Sequence, residues 1–293
     1  MTTTLSFKTL TAIALATSML VGAVPAFAGP LPAALSAVEQ GDSIFIDAAR
    51  LATVSGSPGF KLIDVRTPEL YAIGHLEGAI SLPNAALNGE INGIRSEVLP
   101  IDQLEQAFAQ AGLSYDDTIV IYGDQWVGKS YIAFNQAGFE NVHILEGGLE
   151  GWTGAVSTVA VASAPSDFKL TRSKTDIVDK DYVLARVGNP EVFILDSRTE
   201  ESYNKGFIPG SHNVPYTTFV EGATLKPVDE LVAILTTLGI SKDSEIITTC
   251  GAGPAASDQL AVLRDLGYTN IKLYDGSWNE WQLDPDAPKE TKG

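Results

Sequence analysis

Ile63-Asp64-Val65-Arg66-Thr67-Pro68-Glu69 returns at an offset of 132 as Leu195-Asp196-Ser197-Arg198-Thr199-Glu200-Glu201. The same offset pairs Asp47 with Asp179, Tyr71 with Tyr203, Gly74 with Gly206, Gly78 with Gly210 and Pro83 with Pro215. Further on the offset becomes 127, pairing Leu104 with Leu231, Phe108 with Leu235, Gly112 with Gly239 and Ile119-Val120 with Ile246-Ile247. Near each end it is 129, pairing Gly138 with Gly267, Asn141 with Asn270, Gly147 with Gly276 and Trp152 with Trp281. Two short insertions account for both changes, and a register kept this long marks a duplication.

Each copy alternates β-type runs with helical patterns. In the second copy, 192–195, 246–248 and 271–274 read as strands. Leu231, Ile234, Leu235 and Leu238 share a helix face ending at Gly239, and Ser257 to Leu266 reads as a helix closed by Gly267. This alternation predicts an α/β fold, each copy a mostly parallel sheet flanked by helices. Residues 29–153 and 168–293 are the expected domains. Between them, 154–167 is rich in small residues and uncharged until its end, and reads as an extended linker lying along a surface.

Cys250 is the only cysteine among 293 residues, so it has no partner for an internal disulfide. It ends the apolar run Ile246-Ile247-Thr248-Thr249 and precedes Gly251-Ala252-Gly253-Pro254-Ala255-Ala256. A strand, a turn of small residues and a helix aim backbone N–H groups and a helix N-terminus at one point. That arrangement favours thiolate over thiol. In parallel sheets ligands gather beyond the carboxyl ends of the strands, where this sulfur falls. A buried structural cysteine is the plainer alternative.

Gly74-His75-Leu76-Glu77-Gly78-Ala79, Ile121-Tyr122, Cys250 to Gly253 and Lys272-Leu273-Tyr274-Asp275-Gly276-Ser277-Trp278 together resemble the rhodanese homology domain. The tandem order resembles the two-domain thiosulfate and 3-mercaptopyruvate sulfurtransferases. The resemblance implies two tandem rhodanese-like domains, with catalysis confined to the second. Gly123 stands at the cysteine position of the first copy and Asp124 follows it, a carboxylate that would repel a thiolate or an anionic donor. The first copy is then expected to wall the site without reacting.

The resemblance also implies a reaction. The Cys250 thiolate would attack a sulfane sulfur, expel sulfite or pyruvate and hold the sulfur as a persulfide for a thiol or cyanide-like acceptor. Gly251, Ala252, Gly253, Pro254 and Ala255 would bind the small anionic donor, with Arg198 as the nearest positive charge. Arg66 repeats Arg198 in the cysteine-free copy, so pairing of Arg198 with Asp196 or Glu201 is expected ahead of substrate contact. Lys205 and Lys226 could add positive potential, and Trp278 could border the pocket or pack in the core. The chain departs from the family pattern in three places. Ala252 replaces a loop hydroxyl, Ser202 stands where relatives often carry a clamping arginine, and Phe207 replaces a histidine. A phosphatase lacks support because Ala256 occupies its arginine position. A persulfide carrier or binding module without turnover is the rival reading.

Residues 1–28 read as a signal peptide. Lys8 is followed by an apolar run and by Ala26-Phe27-Ala28, a small-x-small cleavage site. Export is expected, periplasmic ahead of secreted, with no membrane attachment after cleavage. Removing 1–28 takes away one lysine and no acid, which leaves 18 basic and 36 acidic residues and a formal charge of −18. Such a chain is not expected to bind nucleic acid or anionic membranes, and any anion site must be local. His75, His143 and His212 are scattered, so no metal and no cofactor are expected.

Overall fold

The computed structural model describes residues 43–292 apart from Gln125, Gly222 and Ala223. The expected signal segment 1–28 lies outside the described residues. The first copy runs β1 (Phe45–Ile46), α1 (Ala48–Val54), β2 (Phe60–Asp64), α2 (Pro68–Ile73), β3 (His75–Leu76) and β4 (Ile80–Ser81). It continues with the hairpin β5 (Asn88–Ile91) and β6 (Ile94–Val98), then α3 (Ile101–Gln110), β7 (Thr118–Tyr122), α4 (Val127–Gln136) and β8 (Val142–Leu145). Strands β1-β8-β7-β2-β4 form one sheet, parallel throughout. Its centre is Thr-Ile-Val-Ile-Tyr of β7, whose last four residues are buried completely. β-branched residues covered on both faces suit such a strand.

After β9 (Val156–Ser157) the second copy repeats the plan. It comprises β10 (Ile177–Val178), α5 (Lys180–Leu184), β11 (Val192–Asp196), α6 (Glu200–Asn204), β12 (His212–Asn213), the hairpin β13 (Val220–Glu221) and β14 (Thr224–Leu225), and α7 (Val228–Thr237). The chain ends with β15 (Glu245–Thr249), α8 (Pro254–Asp265), β16 (Ile271–Tyr274) and α9 (Ser277–Trp281). The sheet order β10-β16-β15-β11-β12 is the first order repeated, again parallel. The duplicated residues now have local reasons. Asp47 and Asp179 cap α1 and α5 by accepting from the amides of Arg50 and Tyr182. Thr67 and Thr199 cap α2 and α6 in the same way.

The segment joining the copies is fastened to the first of them. Val156–Ser157 pairs antiparallel with His75–Leu76. The hydroxyls of Ser163 and Ser166 donate to the carbonyls of Ala111 and Leu113. Phe168 packs against Phe108, Phe139 and Tyr115. His75, buried completely, stacks on Tyr71 and bonds the carbonyls of Tyr71 and Val159.

Helices α4 and α8 lie against one another and join the copies. One apolar core runs through both, including Phe108, Phe134 and Phe139 from the first copy and Leu260, Leu263 and Cys250 from the second. Each such side chain contributes about 1.5–3 kcal/mol by leaving water. Among the described residues no helix is long and apolar enough to cross a membrane.

Candidate active site

Cys250 follows the last residue of β15, and α8 begins at Pro254, four residues on. Gly253, with φ of 96°, turns the chain between them, and Pro254 opens the helix where its missing N–H is not needed. A β-carbon on Gly253 would lie 2.5 Å from Asp275 Oδ1, so this position needs glycine for its backbone and for its neighbour. The result is a curl of amides around the sulfur. Gly253 N–H points at Cys250 Sγ from 3.1 Å, and the amides of Ala252 and Ala256 bond it as well. Gly251, Ala252, Pro254 and Ala255 form a half-buried rim, while Cys250 itself is 3% exposed.

The loop is held from below by Ser277. The Cys250 N–H donates to Ser277 Oγ at 3.1 Å, and that hydroxyl donates to the Tyr274 carbonyl at 2.9 Å. Ser277 adopts φ of 52°, a left-handed conformation that costs a non-glycine residue energy. Trp278 N–H donates to the Cys250 carbonyl and Asn279 N–H to that of Gly251. Asp275 is gripped from the first copy: Lys129 Nζ pairs with Oδ1, and Val98 N–H donates to Oδ2 at 2.9 Å. Lys129 is buried completely, so this ion pair has no solvent to share its charge with. Nearby Glu97 is pushed up to about 7 by burial and by the charges of Asp275 and Glu280.

Electrostatics correct one expectation. Burial pushes the Cys250 thiol up, and the Asp196 carboxylate adds to the effect, against the downward pull of the three amides. The amides aim as the sequence predicted, but desolvation outweighs them and holds the thiol above its ordinary value. Arg198 does not offset this. Its Nε and Nη2 bond both Asp196 oxygens, Nη2 also donates to the Gly206 carbonyl, and the guanidinium lies 4.8 Å from the Trp278 ring. Arg66 makes the same bonds to Asp64 and Gly74 in the cysteine-free copy. Both arginines thus close strand ends, and the Arg198 guanidinium is occupied by protein acceptors. Lys205 pairs with Glu201 on the surface. Phe207, in the place of the family's histidine, stacks on Tyr203.

Three residues of this neighbourhood escaped the sequence reading: Lys129, Asp258 and Ser277 in its anchoring role. Asp258 accepts from Gly128 N–H at 2.5 Å across the junction of the copies. Ser277 lay within a quoted motif, but the motif alone did not say that its hydroxyl anchors the cysteine. Among the described residues no group of His, Cys, Asp and Glu is arranged to hold a metal ion.

The rhodanese-like domain family matches residues 47–155 and 179–284. The chain is 29% identical to the 3-mercaptopyruvate sulfurtransferase of Escherichia coli K12, covering 84% of this chain and 97% of that protein. It is equally 29% identical to the thiosulfate sulfurtransferase of Azotobacter vinelandii, with the same coverage of each. Among solved structures, SseA of Escherichia coli, described as a rhodanese fold, superposes with TM-score 0.71 at 28% identity over 80% of this chain and 99% of its own.

Proposed function

This chain belongs to the rhodanese-like domain family as a two-copy sulfurtransferase, and we propose that it works through a persulfide on Cys250. The donor is a small anion with a transferable sulfur, the outer sulfur of thiosulfate or the thiol sulfur of 3-mercaptopyruvate, and the acceptor is a thiol or cyanide-like nucleophile. The observation that carries this reading is the convergence of the Ala252, Gly253 and Ala256 amides on one sulfur at a strand end. Those dipoles are fixed before reaction and aimed where negative charge must reside. The chain is further proposed to be exported, on the pattern of residues 1–28.

The steps follow from the chemistry of the groups. Cys250 loses its proton to solvent or to the incoming donor, and its thiolate attacks the outer sulfur of the donor. A new S–S bond forms as the donor's bond to that sulfur breaks. Thiosulfate's S–S bond releases sulfite with the electron pair, and 3-mercaptopyruvate's C–S bond releases the enolate of pyruvate, which takes a proton from solvent. The acceptor then attacks the outer sulfur of the persulfide, and the Cys250 thiolate departs. Because the thiol is held up by burial, the loading rate rises with pH beyond the point where an exposed cysteine levels off.

Incubation with thiosulfate or 3-mercaptopyruvate leaves the protein one sulfur atom heavier by intact mass, and Cys250→Ser stays unchanged. Equal loading of that variant would falsify the assignment. Turnover of the two donors against cyanide in one assay identifies the donor.

A further inference from the structure

The repeat places a second site in the first copy, and it is not empty of chemistry. At the offsets of 127 and 129, Gly123, Trp126, Glu146 and Gly148 stand for Cys250, Gly253, Asp275 and Ser277. The backbone follows the correspondence. Trp126 has φ of 70° where Gly253 has 96°, and Gly148 has 50° where Ser277 has 52°. The grip between copies is repeated as well: Leu225 N–H donates to Glu146 as Val98 N–H donates to Asp275. One element is missing. Lys129 neutralises Asp275, but its repeat partner is Ala256, so Glu146 has no lysine.

That side of the molecule instead holds a cavity of about 820 Å³, within the range of small-molecule sites. Asp124, Glu146, Glu150 and Asp258 line it, and no described lining residue is Lys, Arg or His. Asp258 is only 6% exposed and has no ion-pair partner among the described residues. Two aromatic rings complete the wall, Trp126 and Tyr216, with centroids 6.1 Å apart. Trp126 is 41% exposed in a strained left-handed conformation, an orientation that core packing does not explain.

We propose that this cavity binds an aliphatic amine, whose ammonium group supplies to Glu146 and Asp258 the positive charge that Lys129 supplies to Asp275. The carboxylates recognise the charge, and the faces of Trp126 and Tyr216 receive a partly desolvated cation. A bare metal ion fits poorly, since these carboxylates do not gather into a metal-binding group. Burial pushes Asp258 up to about 7, and Glu146 is pushed up as well. Tyr216 acts on both, Asp265 and Asp47 add negative charge at Glu146, and the amides of Gly128 and Leu225 donate to Asp258 and Glu146. Asp124 and Glu150 line the same cavity, and none of these groups is cationic. A bound ammonium favours their charged forms, so binding releases protons near neutral pH and weakens as the pH falls below it.

The test uses the full chain and 1,5-diaminopentane, followed by calorimetry at low salt in two buffers of different ionisation enthalpy. Saturable binding is expected, with proton release at pH 7 and at least tenfold weaker affinity in Glu146→Gln and in Asp258→Asn. Asn at 258 keeps the acceptor for Gly128, and Glu146→Gln carries the test if that variant does not fold. Cys250→Ser retains the binding, which separates this site from sulfur transfer. No saturation at millimolar amine overturns the proposal. So does equal binding by both variants, or full displacement by Mg²⁺ at matched charge, which marks diffuse attraction to an acidic surface.

Discussion

At the scale of single residues, the site depends on a serine as much as on its cysteine. Ser277 holds the Cys250 amide from outside β15 and keeps a left-handed backbone to do so. Ser277→Ala removes the acceptor and leaves the Cys250 N–H buried without a partner. That costs about 1–3 kcal/mol in urea unfolding and slows sulfur loading, since the amide curl loses its anchor. A variant that loads at the normal rate with unchanged stability overturns this role. The shape of the Cys250 loop was legible in the sequence because its parts are contiguous: strand, Cys250, small residues, Pro254. The upward push of burial on the thiol was not, because burial depends on everything packed over the loop. Arg198 shows the repeat used well. An arginine kept in a copy without cysteine points to structure, and its bonds to Asp196 match those of Arg66 to Asp64.

At the scale of elements, α4 brings Lys129 to the loop after β16, and β6 brings Val98 to the same carboxylate. These contacts were invisible in the sequence, since 146 and 177 residues separate the partners. Helix α8 begins at Pro254, three residues ahead of the periodic stretch, because the first turn carries small residues with no apolar pattern. Lys129→Met leaves Asp275 charged and buried, and we expect a loss of about 3–5 kcal/mol in denaturant unfolding. Adding Asp275→Leu recovers most of that loss, because the pair's value lies in its completeness. Failure of the double variant to recover shows that Asp275 is needed for its bond to Val98. The hairpins, by contrast, carry no strong periodicity, and only the matched sheets made their equivalence plain.

At the scale of the molecule, the duplication was the most legible feature, and the two parallel sheets follow it in strand order. How the copies meet was not legible, since α4 and α8 reveal their shared face only when packed. The formal charge of −17 opposes long-range attraction of an anionic donor. In the proposed reaction the amide dipoles would capture it at short range, and added salt is expected to matter little for loading. The proposed export would remove residues 1–28, and chain recovered from the extracytoplasmic fraction is then expected to begin at Gly29 by intact mass. A mature chain that keeps Met1 overturns the signal reading.

Each half holds the other's acidic loop with a hairpin amide, Val98 on Asp275 and Leu225 on Glu146. The sulfur-free half is consequently no passenger. An injury to it would loosen the acidic loop next to Cys250, and a shortened gene encoding only the second copy would leave Asp275 without Lys129 and Val98.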